Sequence, residues 1–452
     1  MFENYRIIHF VGIGGIGMSG IAEVLHNLGY EITGSDVKES ANTRRLQSLG
    51  IRIMIGHRAE NVDSAHVVVI SSAIKDDNPE VIEARRRSIP VIPRAEMLAE
   101  IGRLKYSILV AGAHGKTTTT SLISSILTSA GLDPTVIIGG RLNATGSNAR
   151  LGQGNFLVAE ADESDGSFLK LSPTIAVATN IDREHMDYFK TMDSICAAFR
   201  EFLDKVPFYG LSVLCYENIY LRNIMNELSR RYITYGFSEN ADVRAVEIKR
   251  SESGGMSFHL IYRGEDLGDF NIPLLGNHNV LNALASIVVS RELYVPVETI
   301  KVSLEGFSGI QRRFEFKGYC NGAAVYDDYG HHPTEIKATL KAIRADGHRR
   351  LIAIFQPHRY TRTRDLFNEF TESFGDVDRL YVMDIYPAGE PPIKGVDARE
   401  LSTAIRQKGV DVHYVSERDT LVSELKRVVN DDDIVITLGA GDVWKVAEEL
   451  TG

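Results

Sequence analysis

The chain has 452 residues, 44% apolar and 24% charged, a balance that excludes global disorder and, at roughly 150 residues per domain, suggests about three domains. Lys plus Arg number 50 against 60 for Asp plus Glu, and the net charge of −10 argues against electrostatic binding to nucleic acid or an anionic membrane surface. Cys196, Cys215 and Cys320 form no CxxC pair and are too few for a disulfide framework, which fits a reducing cytoplasm. No leader-peptide pattern precedes the first strand, and no apolar run approaches the ~20 residues that cross a bilayer.

Apolar runs alternate with helical patterns along the chain, the sign of α/β architecture with parallel sheets. In the first segment, 7–11 reads as a strand. A glycine cluster follows, then helical spacing over 18–28, a strand over 30–36 and a buried strand over 67–70 that ends at Ser71. The second segment opens with a strand over 107–111 and continues with strands over 156–159 and 175–178. Residues 231–272 are more polar and alternate in places, with Gly254-Gly255 as a hairpin, so a small antiparallel patch is expected there. The third segment follows Arg312-Arg313. Strands are predicted at 323–325, 351–355, 380–384 and 434–438, and helices at 334–343, 364–374 and 443–450. The expected domains are 1–104, 105–312 and 313–452.

The motifs sit at the ends of these strands. Gly12-x-Gly14-x-x-Gly17 follows a strand and opens a helix, and Asp36 ends the next strand. This spacing suits a nucleotide diphosphate at a helix N-terminus with an acid on a ribose hydroxyl; the alternative is a tight turn with no ligand. Gly112-Ala113-His114-Gly115-Lys116-Thr117-Thr118 lies between a strand and a helix, as a P-loop does. Its backbone N–H groups would cradle phosphates, Lys116 would neutralise the β/γ oxygens and Thr117 would ligate Mg²⁺. It departs from GxxxxGK[ST], because Val110 holds the first glycine position and Gly112 is the earlier glycine.

Two acidic clusters follow buried strands, at 160–165 and 179–187. Glu160 and His185 stand out as metal ligands. Asp162, Asp165 and Asp182 read equally as solvated loop or cap residues, and His185 could be a packed histidine. Gly276-Asn277-His278-Asn279 with Asn282 offers amides for a nucleobase edge, but spacing alone favours simple N-capping. In the third segment Asp328-Tyr329-Gly330-His331-His332 and His358-Arg359-Tyr360-Thr361-Arg362 follow strands, and the latter resembles a grip for a carboxylate or another anion. Gly439 and Gly441 read equally as a tight turn.

Taken in order, GIGGIGMSG, AGAHGKTTTT, EADESDGSF, TNIDREHMD, GNHNVLNA, GIQRRFEF, DDYGHHPTE, PHRYTRT and TLGAGD resemble the Mur ligase family, essentially end to end. The resemblance implies an N-terminal Rossmann-like domain for a UDP-sugar, a central P-loop ATPase-like domain and a C-terminal Rossmann-like domain for an amino acid. It is to the alanine-adding branch, and implies a cytoplasmic, ATP-dependent ligase of peptidoglycan synthesis acting on UDP-N-acetylmuramate and L-alanine. Its cofactors would be ATP and two Mg²⁺ ions, with Mn²⁺ able to substitute, and the enzyme would be a monomer or homodimer.

By position, Gly14, Gly15, Ile16 and Gly17 would face the UDP diphosphate, with Asp36 and Ser71 near the nucleoside and Asn143, Asn148 and Asn180 near the muramyl sugar. Gly112, Ala113, His114, Gly115, Lys116, Thr117 and Thr118 would hold ATP, with Thr117, Glu160 and His185 as metal ligands. His278 and Asn282 would contact adenine, and Arg313 and Asp328 would close on ATP. Tyr329, His331, His358, Arg359 and Arg362 would shape the amino-acid and reaction-centre side. Several family members carry a carbamylated lysine about 15 residues after the metal histidine; Arg200 stands there, so no carbamate is expected. The rival readings are a sibling ligase that attaches a preformed tripeptide to the same sugar nucleotide, an NAD-dependent dehydrogenase that would leave Lys116 idle, and a P-loop switch that would hydrolyse ATP without making an amide.

Overall fold

The computed structural model describes residues 6–71, 73–103, 105–138, 149–251, 254–345, 347 and 349–452. Asn143 and Asn148 lie outside the described residues. The chain forms two compact units, one of Met1–Lys249, Ser257–Pro273 and Asn279–Ser308, the other of Arg250–Met256, Leu274–His278 and Gly309–Gly452. The architecture is α/β with three mostly parallel sheets.

The first unit opens with a five-stranded sheet in the order Arg52–Ile55, Glu31–Asp36, Ile7–Val11, Val67–Ile70, Val91–Pro93, parallel throughout. Strands buried on both faces read as continuous apolar runs, as Ile7–Val11 and Val67–Ile70 do. The order reverses at Ile7–Val11, and ligands of open α/β sheets bind beyond the strand ends at such a point. The glycine loop begins there and leads into the helix Ile16–Asn27.

The same unit carries a ten-stranded sheet with Tyr106–Ala111 between Phe156–Glu160 and Ile175–Ala178, both parallel to it. Parallel pairing brings the C-terminal ends of all three to one edge, so residues 112–118, 160–163 and 179–185 converge. The hairpin region is a correction in detail. Tyr232–Gly236 pairs with Val243–Arg250 in parallel, and the antiparallel patch begins only with the strands Val243–Arg250, Met256–Tyr262 and Glu265–Ile272, which neighbour one another across short turns.

The second unit holds a six-stranded sheet in the order Glu315–Cys320, Ala323–Asp328, Ile434–Leu438, Leu351–Phe355, Arg379–Val382, Val412–Tyr414, parallel except for its first pair. One face packs Leu351, Ala353 and Phe355 with Ile336, Leu340, Phe370 and Phe374; the other packs Ile352, Ile354 and Val435 with Leu421, Leu425 and Val446. The helix expected over 364–374 is two short helices, Tyr360–Asp365 and Phe367–Thr371, with Leu366 between them at φ −116° and ψ 23°. Leu366, at the break, packs with Phe370 and Phe374 in the core. Among the described residues no helix is long and apolar enough to cross a membrane.

Candidate active site

The P-loop owes its shape to neighbours on the adjacent strand end and on the helix Asn277–Glu292. Gly115 is the N-cap of Lys116–Ser129 with φ +81°, and a β-carbon there would come within 2.5 Å of the Asn282 Oδ1. At Gly112, φ is +140° and a β-carbon would lie 2.1 Å from the Thr179 hydroxyl. Neither position tolerates a side chain.

Asn180 clamps the loop from both sides of one residue, His114. The His114 N–H donates to Asn180 Oδ1 at 2.9 Å, and Asn180 Nδ2 donates to the His114 carbonyl at 2.9 Å. The Thr179 hydroxyl donates to the same carbonyl at 2.6 Å, and His114 Nε2 lies 3.0 Å from Asp182 Oδ2. Asn180, a sequence-level candidate for the sugar, here braces the phosphate loop. Asn180→Ala is expected to remove both clamps, raise the ATP KM several-fold and lower stability by about 1–3 kcal/mol, at about 0.5–1.5 kcal/mol per hydrogen bond. Initial-rate kinetics and thermal unfolding check this.

Lys116 Nζ donates to the Gly112 carbonyl at 2.6 Å and to both Glu163 oxygens at 2.8 and 3.1 Å. Burial acts to lower its pKa, but the Glu163 and Asp162 carboxylates outweigh that and hold the ammonium charged, above the usual lysine range. Thr117 and Thr118 are buried in the first turn, and Thr119 donates to Asn282 Oδ1 at 3.2 Å. His278 stands at the start of Asn277–Glu292.

Beside Lys116, ligand atoms of Glu163, Glu184 and His185 all lie within 4.8 Å of one another. Two carboxylates and an imidazole at that spacing suit a divalent cation. The sequence singled out Glu160 and His185; the carboxylates gathered at His185 are Glu163 and Glu184, while Glu160 lines the adjacent cleft. In EADES, burial alone separates Glu163 from its neighbours, and burial has no local sequence signal. Arg200 is half-exposed and pairs with Glu227.

The glycine loop is tied to the next strand. The Gly12 and Ile13 N–H groups donate to the Ser35 carbonyl, and the Gly14 N–H donates to Asp36 Oδ2 at 2.8 Å. The Asp36 carboxylate therefore holds the loop itself. Asn42 Nδ2 donates to the Gly14 carbonyl at 2.9 Å from the other side. Ile16 is exposed at the loop's end. A cleft of about 330 Å³ runs past Gly15, Gly17 and Ser71 to Lys116, Glu160 and Asp162. Phosphate loop and glycine loop thus open onto one space.

In the second unit, Asp328 accepts from the N–H groups of Phe314 at 2.8 Å and Gly330 at 2.7 Å; burial pushes its carboxyl up to about 6 against the pull of Arg313. Arg313 reaches Glu335 at 3.2 Å, and both Arg312 and Arg313 lie over the Tyr329 ring. His331 and His358 meet edge to face at 5.7 Å, and His358 stacks on Tyr386 at 5.6 Å with 7° between the planes. Tyr386 was not legible, since nothing near it in the sequence marks a site. Arg362 lies 3.2 Å from His358 Nδ1, and Arg359 is exposed with φ +70°. Burial first, then the charges of His331, Arg362 and Arg359, push His358 down to about 3.

Family descriptions match in the same order as these parts: "Mur ligase family, catalytic domain" over residues 7–106, "Mur ligase middle domain" over 110–290 and "Mur ligase, glutamate ligase domain" over 312–441. The chain belongs to the Mur ligase family. A UDP-N-acetylmuramate–L-alanine ligase from Geobacter sp. (strain M21) is 56% identical over 452 residues, covering 100% of this chain and 98% of that one. One from Geobacter sulfurreducens is 56% identical over 451 residues, covering 99% and 97%. Among solved structures, a UDP-N-acetylmuramate–alanine ligase from Thermotoga maritima superposes with TM-score 0.84 at 27% identity, over 98% of this Mur ligase and 97% of that one.

Proposed function

We infer that this Mur ligase is an ATP-dependent amide ligase joining L-alanine to the lactyl carboxylate of UDP-N-acetylmuramate. The observation that carries the reading is the single cleft shared by the glycine loop and the Lys116 loop. It fits a sugar nucleotide whose acid must meet the γ-phosphate of ATP. Full-length identity to alanine-adding relatives supports the choice of acceptor.

A carboxylate is a poor electrophile, so it must be activated before an amine can displace oxygen. One lactyl oxygen attacks the γ-phosphorus, the bridging P–O bond breaks and ADP leaves. The alanine nitrogen then attacks the acyl-phosphate carbon, the C–O bond to phosphate breaks, and inorganic phosphate departs with the electron pair. Lys116 offsets the repulsion between two anions in the first step. Thr117, Glu160 and His185, with Glu163 and Glu184 beside His185, would hold Mg²⁺, and the bound ion would neutralise triphosphate charge. Mn²⁺ has the same preference for oxygen ligands. His278 and Asn282 would serve adenine, Gly14–Gly17 and Ser71 the UDP group, and the lobes 1–104, 105–312 and 313–452 the sugar nucleotide, ATP and amino acid. The setting is cytoplasmic peptidoglycan precursor synthesis.

The nucleophile must be a free amine, so an ammonium proton has to go. Partner chemistry assigns the two tautomers. Arg362 can only donate, so His358 Nδ1 accepts and the ring carries its proton on Nε2; the Tyr329 carbonyl can only accept, so His331 Nδ1 donates at 3.1 Å and Nε2 is its acceptor nitrogen. His331 is thus the base and His358 a neutral donor. With its pKa pushed down to about 3, His358 does not gain a proton until far below neutral pH. The acid limb of kcat is accordingly expected to persist in His358→Gln and to vanish in His331→Gln, read from pH–rate profiles at saturating substrates.

The test of the reaction is mass spectrometry of the product formed with ATP, Mg²⁺, UDP-N-acetylmuramate and a panel of amino acids and short peptides. The alanyl amide is expected. A product made only with tripeptide would transfer the chain to the sibling activity, and phosphate release without amide would refute ligation.

A further inference from the structure

Among the described residues, Arg94 is a cation of the cleft that the reaction as described leaves unused. It opens the helix Arg94–Gly102 directly after the strand Val91–Pro93, at the same sheet edge as the glycine loop. Its guanidinium lies against Gly17: a β-carbon there would come within 2.8 Å of Nη1 and 3.3 Å of Cδ and Cζ. Gly17, in the first turn of the helix Ile16–Asn27, is therefore bare where this cation passes. From there Arg94 lines the cleft together with Gly15, Ser71, Lys116 and Glu160.

Its polar partner among the described residues is Asp162, reached by Nη2 at 3.3 Å with side chains 26% and 44% exposed. One long contact between two part-exposed groups is a weak tie. The bidentate geometry that makes arginine–carboxylate pairs strong is unused. Lys116, by contrast, is held by both oxygens of the buried Glu163, at 2.8 and 3.1 Å. Of the two cations that line the cleft among the described residues, Arg94 is the one that can change partner at little cost.

We propose that Arg94 is a substrate-binding residue: it releases Asp162 and grips an anionic oxygen of the sugar-nucleotide acid where that substrate passes from the glycine loop toward Lys116. The proposal rests on the reading of this cleft as the sugar-nucleotide site. Two parts of the substrate offer the same chemistry, the diphosphate and the lactyl carboxylate, and a fork of N–H donors suits either.

Calorimetric titration of UDP-N-acetylmuramate into the full-length protein, without alanine, tests this. Arg94→Ala is expected to weaken its Kd at least tenfold, Arg94→Lys to recover part of the loss, and the Kd of ATP to stay within twofold. Asp162→Asn removes the resting partner but keeps the cation, so it should bind the sugar nucleotide at least as tightly as the parent. A purely structural Arg94–Asp162 pair would instead make both variants alike. UDP-N-acetylglucosamine, which lacks the lactyl group, separates the two anions. Equal weakening of both nucleotides by Arg94→Ala places the guanidinium on the diphosphate; weakening confined to the acid places it on the carboxylate. Unchanged sugar-nucleotide affinity in Arg94→Ala, or parallel loss of ATP and sugar nucleotide, overturns the proposal. Failure of the parent protein to bind UDP-N-acetylmuramate would instead overturn the assignment of the cleft.

Discussion

Replacing Lys116 with alanine is expected to abolish phosphate release that depends on sugar nucleotide and alanine, by at least the ~10²–10³-fold typical of removing one electrostatic stabiliser. Two anions, a carboxylate and a triphosphate, must approach within bonding distance in the first step. The cation that offsets them is held at the mouth of the loop by the Gly112 carbonyl and by Glu163. The same substitution removes the partner of a buried carboxylate, so a fall in thermal stability of the free protein should accompany the loss of rate. Lys116→Arg separates the two effects. It preserves charge near Glu163 but places a planar fork where a compact ammonium fits, and should restore more stability than activity. Near-normal turnover in Lys116→Ala would refute the phosphate-loop assignment.

Much of this arrangement was legible because it is written in local pattern. Strands such as 107–111 and 175–178 are buried on both faces and read as continuous apolar runs, and the glycine positions announce where backbone must pass close to something else. The gathering of 112–118, 160–163 and 179–185 follows from parallel strand order, which places every strand end at one edge. What stayed hidden depends on depth and on partners distant in sequence. Four acids crowd residues 160–165, and only burial marks Glu163 as the one that holds Lys116. The family resemblance puts Asn180 near the sugar, and nothing in the sequence shows that its amide lies on both sides of His114. Asp36 ends its strand where a ribose acid would, yet its oxygen accepts from Gly14 across the sheet. Tyr386 lies 28 residues beyond His358 and joins it only because a parallel bridge brings the two strand ends together.

Arg359→Ala is expected to raise the KM for alanine by about 10–100-fold, the range of a charge-assisted hydrogen bond worth roughly 1.5–3 kcal/mol, while the KM for ATP changes little. The alanine carboxylate needs a cation, and the second unit offers two arginines beside His358. Arg362 is engaged with His358 Nδ1 at 3.2 Å. Arg359 is exposed, and its backbone holds φ +70°, a conformation that arginine adopts at a cost of about 1–3 kcal/mol and that here starts the helix Tyr360–Asp365. The Arg359 N–H donates to the Tyr386 carbonyl at 2.8 Å, so the strained residue is fixed by the same tyrosine that stacks on His358. The pinned backbone fixes the point from which the exposed Arg359 side chain projects toward the acceptor side. Arg359→Lys keeps the charge but loses the fork, and should fall between parent and alanine variant. Initial rates across alanine and ATP concentrations read both constants. An unchanged alanine KM in Arg359→Ala would remove this arginine from the acceptor site and leave Arg362 to carry the carboxylate.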